Sequence, residues 1–153
     1  PDLWGGGKNL QEREELQRQR LKKILDKKPV CFNHNLETVE RLQKEVRRGA
    51  NYTNSMRLLR KSKEIAPNIQ TKSGIMLGLG ETLDEIKNTI YDLKKVNCDQ
   101  ITIGQYLRPS LNHLSVKKYW EPSEFEFLYR FSKDLGFKKV SSGPLVRSSY
   151  HAG

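Results

Sequence analysis

The sequence is short of the patterns that usually mark chemistry. Its 153 residues hold only two cysteines, Cys31 and Cys98, far apart in the chain. They form no CxxC and no metal-ligand spacing, which excludes a cysteine-framed metal site built from them. Both fall in apolar or strand-like stretches, where a free cysteine behaves as a small hydrophobe. Reduced, structural thiols in a cytosol-like, cytoplasmic compartment are expected. No stretch approaches the ~20 apolar residues of a bilayer span, so no membrane partner is expected. The first ten residues carry no apolar core of a signal peptide. The glycines fit neither the GxGxxG of a dinucleotide fold nor the Lys-Ser/Thr ending of a P-loop. No Gly-x-Ser-x-Gly elbow exists, and no acid is placed to orient a base, so Ser148, Ser149 and His151 make no hydrolase triad. Carboxylates sit mainly on helix faces among lysines, which offers no pair for acid–base catalysis. No catalytic side chain is assigned.

Acidic residues are also few, 18 against 28 Lys and Arg, for a net charge of +10. That balance favours an acidic partner or a solvated basic surface. The basic run Arg13–Lys28 has no interleaved aromatics and contains Glu14, Glu15 and Asp26, so it reads as a solvated helix face rather than a nucleic-acid site. With 35% hydrophobic residues, the chain suits one domain, or one piece of a larger one, with a lean core. It opens on Pro1-Asp2-Leu3-Trp4 and three glycines without an initiator Met. This reads as a strand end and loop, and truncation is the expectation.

What is present is an alternation. Gln11–Lys28 is a helix with a weak stripe of Leu16, Leu21, Ile24 and Leu25. Pro29-Val30-Cys31-Phe32 suits a buried strand. Val39, Leu42 and Val46 share a helical face that Gly49 ends, and a helix carrying Met56, Leu58, Leu59 and Ile65 stops at Pro67. Thr71–Leu79 reads as a strand. Thr82-Leu83-Asp84-Glu85 is a capping box opening a helix with Ile86, Ile90 and Leu93. Ile101-Thr102-Ile103 is a strand and 109–119 a loop. Pro122 starts a helix with Phe125, Leu128 and Leu135, and Gly136 closes it. Lys138–Ser142 is a last short strand. Strands alternating with helices imply an α/β fold with parallel strands and crossover helices.

In such folds ligands bind at the C-terminal ends of the strands. Three such ends are polar or glycine-rich: Asn33-His34-Asn35, Gly78-Leu79-Gly80-Glu81 and Gln105-Tyr106. Alternation puts Asn33 and Asn35 on one face and His34 on the other. The asparagines suit ribose hydroxyls or an amino-acid head group, and equally suit loop backbone. Gly74, Gly78 and Gly80 allow close approach to a flat ligand, or a tight strand-to-helix turn.

Four ordered blocks resemble lipoyl synthases: Phe32–Val39, Thr71–Thr82, Gly104–Ser110 and Gly143–Ala152. The resemblance implies the latter part of a partial (β/α)6 radical-SAM (S-adenosylmethionine) TIM-like barrel, with residues 1–153 in one domain and the Arg-Ser-Ser-Tyr tail within 140–153. It implies insertion of two sulfur atoms into an octanoyl chain borne on a lysine of a lipoyl carrier. That carrier is the H protein or the E2 component of a 2-oxoacid dehydrogenase. It implies S-adenosylmethionine (SAM) and two [4Fe-4S] clusters in the complete protein, the second cluster supplying sulfur. Gly74, Gly78 and Glu81 match the family's segment flanking the adenine. Asn33, Asn35, Gln105 and Tyr106 fall near the same cofactor, and Ser148 matches a serine ligand of the auxiliary cluster. The CxxxCxxC and the three-cysteine motif of the family do not occur in these residues, so no activity is expected of the segment unaided. A non-catalytic remnant that binds a carrier domain is the competing expectation.

Overall fold

A computed structural model describes residues 10–147, apart from 30, 48 and 50. The elements are α1 (Leu10–Asp26), β1 (Cys31–Asn33), a 3-10 turn (Glu40–Leu42) leading into α2 (Gln43–Val46), α3 (Tyr52–Ile65), β2 (Gln70–Leu77), α4 (Leu83–Lys95), β3 (Gln100–Gln105), α5 (Pro122–Leu135) and β4 (Lys139–Gly143). The four strands form one parallel sheet in the order β1-β2-β3-β4. Strand order follows chain order, so each crossover steps in the same direction. Right-handed crossovers of this kind set the connecting helices on one face.

Register defines the two faces. Ile75 and Leu77 of β2, with Ile101 and Ile103 of β3, pack with Ile86, Ile90 and Leu93 of α4 and with Phe125 and Leu128 of α5. The opposite face runs in rows: Asn33–Lys72–Gln100–Lys139, then Gly74–Thr102–Ser141, then Met76–Gly104–Gly143. Apart from Met76, that face is polar or glycine, and it borders the candidate site.

Local chemistry sets the ends of the elements. Thr82 Oγ1 accepts from the Glu85 N–H (3.2 Å) and Glu85 Oε1 accepts from the Thr82 N–H (2.9 Å), completing the expected capping box of α4. Arg41 then donates to Glu85 and to the Gly80 carbonyl, tying the 3-10 turn to the same corner. Strand β2 ends two residues earlier than expected, because Gly78 and Gly80 adopt φ of +111° and +113°, outside β geometry. The helix expected over Val39–Val46 is a 3-10 turn and one α-turn. Its buried Gln43 side-chain amide donates to the Leu36 and Thr38 carbonyls (3.0 and 2.7 Å), fixing the preceding loop against it. In α1, Leu21 and Leu25 are buried, while Ile24 is 38% exposed and stands off the expected stripe. After β4 the chain doubles back. The Val146 carbonyl lies so close over Gly104 that a Cβ there would collide with it.

His34, between β1 and the cleft, points to the helical layer, where Nε2 hydrogen-bonds with Ser55 Oγ of α3 (3.0 Å). Burial, reinforced by the charge of Arg47, pulls its pKa from 6.5 down to about 4. Above pH 6.5 the imidazole is neutral in both folded and unfolded chains. As the pH falls from 6.5 to about 4, the unfolded chain takes up a proton that the folded one refuses. Stability should fall across that window by up to ~3 kcal/mol. Urea unfolding of the parent and His34→Gln between pH 7 and pH 4 checks this. The parent should lose stability more steeply, and parallel slopes would remove His34 as the cause.

Candidate functional site

The polar sheet face ends in a cleft of about 540 Å³ at the C-terminal edge of the strands, walled by Asn35, Glu37, Gly74, Ile75, Met76, Thr102, Gly104, Gln105, Leu107, Pro109, Val146 and Arg147. A second cavity of about 790 Å³ adjoins it across Glu37, Met76, Leu107 and Pro109, and reaches Arg47, Tyr106 and His113. Both are of the size that small-molecule sites take.

Asn35 reaches this cleft, and its Oδ1 is buried without a hydrogen-bond partner among the described residues. A buried acceptor left so costs about 1–3 kcal/mol until a donor meets it. Asn33 lies on the same sheet face one row lower, in register with Lys72. Gly74 lies in the cleft wall beside Thr102.

Glu37 is a wall residue that motif reasoning passed over. It extends β1: its N–H donates to the Gly74 carbonyl (3.0 Å), and its carbonyl accepts from the Met76 N–H (2.8 Å). Its φ is +72°, a conformation costing a non-glycine residue of order 1–3 kcal/mol. Burial pushes its carboxyl pKa up, opposed by the charge of Arg47. No residue pattern marks it, because the signal is a backbone angle. Arg147 was also missed. Its Nη1 donates to the carbonyls of Val146 (2.8 Å), Pro144 (3.2 Å) and Gln105 (3.4 Å), holding the doubled-back chain across the cleft.

Other expected site residues are occupied by the protein itself. The Glu81 carboxylate is buried and accepts from the Gly78 N–H (2.9 and 3.1 Å), the Leu79 N–H (3.0 Å) and the Trp120 indole N–H (2.9 Å). The Gln105 side-chain amide donates to the carbonyls of Tyr106 (3.0 Å) and Lys118 (2.9 Å) and accepts from the Trp120 N–H (2.9 Å). Tyr106 Oη donates to the Leu114 carbonyl (2.6 Å), and its residue borders the second cavity. A Cβ at Gly78 would strike the Gln105 amide and the Lys118 carbonyl, so this glycine admits the chain's own loop. Ser148 lies outside the described residues, immediately after Arg147 in the cleft wall.

An orphaned acceptor, a carboxylate, a guanidinium and a glycine in one wall suit a polar small molecule carrying hydroxyl and amino donors. The described residues contain no group of three or more His, Cys, Asp or Glu that could hold a metal. Both thiols are buried. Burial pushes the Cys31 thiol pKa up, and pushes Cys98 to about 12, away from the thiolate that binds iron. No described helix is long and apolar enough to cross a membrane.

The Radical SAM superfamily profile matches residues 10–93. The chain belongs to the radical SAM superfamily. It is 77% identical over 153 residues to lipoyl synthase 2 of Prochlorococcus marinus subsp. pastoris, covering 100% of this chain and 51% of that protein. It is 55% identical over 153 residues to lipoyl synthase 2 of Nostoc sp., covering 50% of that protein. It is 54% identical over 124 residues, 81% of this chain and 37% of the relative, to a lipoyl synthase of Hahella chejuensis. The expected resemblance to lipoyl synthases is thus borne out, and the chain spans about half the length of the curated relatives it matches.

Glu81→Gln replaces a buried anion by a group that cannot accept from all three N–H donors. It should destabilise the protein by about 1–3 kcal/mol and speed hydrogen exchange at the Gly78 and Leu79 amides. Unchanged exchange at those two amides would show that the tie is not holding the loop.

Proposed function

We propose that this chain is the C-terminal part of a lipoyl synthase. In its complete form the protein inserts two sulfur atoms into the octanoyl chain of an octanoylated carrier domain, the H protein or a 2-oxoacid dehydrogenase E2 component. What carries the reading is 77% identity across all 153 residues to a lipoyl synthase 2. The cleft geometry supports it. The four-stranded parallel sheet, with strand order following chain order, is the arc that a partial (β/α)6 barrel needs. SAM supplies radical chemistry when bound beside a [4Fe-4S] cluster. Asn35 and Glu37 receive its donors, Gly74 gives it room, and Asn33 supports the row beneath. Glu81, Gln105 and Tyr106 act at one remove by holding the loops that wall the cleft. Gly78 permits that approach.

The clusters are proposed to be held by residues outside those described: Ser148 for the auxiliary cluster, and cysteines in the half that the relatives have beyond this match. The segment unaided is proposed to be inactive, since neither Cys31 nor Cys98 suits iron. Two buried thiols accord with a reducing, cytoplasmic location. A non-catalytic remnant would bind the carrier without turnover, and the comparisons do not favour it.

The coding region preceding Pro1 should encode CxxxCxxC in frame, and its absence there would sink the enzyme reading. In the full-length protein, Asn35→Ala should weaken SAM binding by about 1–3 kcal/mol through loss of a buried hydrogen bond, read by equilibrium dialysis. Asn33→Ala, one row below, should have the smaller effect. Ser148→Ala should alter the electron paramagnetic resonance of the auxiliary cluster and lower lipoyl formation while SAM cleavage continues. Full lipoyl formation in that variant would remove Ser148 as a ligand.

A further inference from the structure

The stretch from Leu107 to Tyr119 has no helix or strand, yet its path is fixed. Arg108 donates to the carbonyls of His113 (3.0 Å) and Leu111 (2.8 Å). Ser110 Oγ hydrogen-bonds with His113 Nδ1 (2.8 Å). The Lys117 N–H donates to the Gly78 carbonyl (2.7 Å), and the Gln105 amide grips Lys118 and Trp120. With its polar groups engaged, the loop turns apolar side chains outward: Leu111 is 86% exposed, Tyr119 68% and Leu107 50%. Apolar groups on a pre-ordered loop mark an interaction surface, since little ordering entropy is lost when a partner meets them.

The charged side chains of the loop itself are of one sign. From Tyr106 to Trp120 there are Arg108, Lys117 and Lys118 and no carboxylate. Lys118 is spoken for, paired with Glu124 (3.3 Å) and set 3.8 Å over the Trp120 ring. Arg108 is held by neutral carbonyls, and Lys117 is exposed. The loop is also the rim of the site, because Leu107 and Pro109 wall both cavities.

We propose that the Leu107–Tyr119 loop is the docking surface for an acidic protein patch, that of the carrier domain presenting the acyl-lysine at the cleft mouth. This rests on the function proposed above. Two uncommitted cations are too few for nucleic acid, whose binding leans on many phosphate contacts and stacked aromatics. They also fall short of the four to eight basic residues typical of anionic-membrane recognition. An acidic protein surface with one apolar contact complements the loop in both respects.

The test uses the full-length protein with its clusters reconstituted. Leu111→Asp and Lys117→Glu alter exposed side chains that line neither cavity. Calorimetric titration with an octanoylated carrier domain should show affinity reduced about tenfold in each variant. Affinity for a short octanoyl-lysyl peptide, which lacks the carrier surface, should be unchanged. Added salt should weaken the parent–carrier complex more than the Lys117→Glu complex. Parental carrier affinity in both variants overturns the docking surface and leaves the functional reading standing. Equal loss for carrier and peptide overturns it too, because the loop would then belong to the acyl site. Binding of the parent to anionic phospholipid vesicles through these residues, with no carrier binding, overturns it in favour of a membrane. A parent that binds neither carrier nor peptide brings down the functional reading itself.

Discussion

The buried carboxylate of Glu81 is the constraint on which the upper edge of this structure depends. An anion removed from water must be met by donors, and three backbone or indole N–H groups meet it. Those donors come from the turn after β2 and from Trp120 at the far end of the long loop after β3. One carboxylate therefore fixes the relative positions of two strand ends and the start of α5. Gln105 repeats the device in neutral form on the same loop, and Gly78 provides the space that both need.

Given that brace, the cleft follows from sheet register. Parallel pairing without strand reversal sets Gly74, Thr102 and Ser141 side by side on the face away from the helices. The helical layer takes the apolar half of each strand, so the remaining half is free to be polar or absent. The doubled-back chain after β4 then crosses Gly104 and delivers Arg147 to the wall. Ser148, the proposed cluster ligand, is the next residue in the sequence and lies outside the described residues.

The same geometry separates two kinds of residue that a motif groups together. Glu81 and Gly78 hold protein to protein, Gln105 does so while bordering the cleft, and Asn35, Glu37 and Gly74 face the cleft. A family segment marks both kinds alike, because losing the frame and losing the contact are equally damaging to a site built from loops.

Much of the fold was legible in the residues. The capping box at Thr82, the stripe Ile86, Ile90 and Leu93, the proline at the start of α5 and Gly136 after it are local signals, and each produced its element. The parallel α/β class followed from their alternation. Asn33 and Asn35 on one face, with His34 on the other, followed from strand period alone. Local signals failed where a partner distant in sequence decides the outcome. The short helix after Val39 depends on the Gln43 amide, the end of β2 on glycine angles, and the loss of Ile24 from its stripe on which neighbours α1 meets. The division of labour at the site was also a tertiary matter. Whether Glu81 or Gln105 faces a ligand or the protein turns on Trp120 and Lys118, 39 and 13 residues away in sequence. The sequence by itself determined the class, the elements and the kinship with radical SAM proteins, because these rest on periodicity and motif order. Only the tertiary structure decided which polar groups are consumed as braces and which are left for a ligand, because a hydrogen bond depends on position in space.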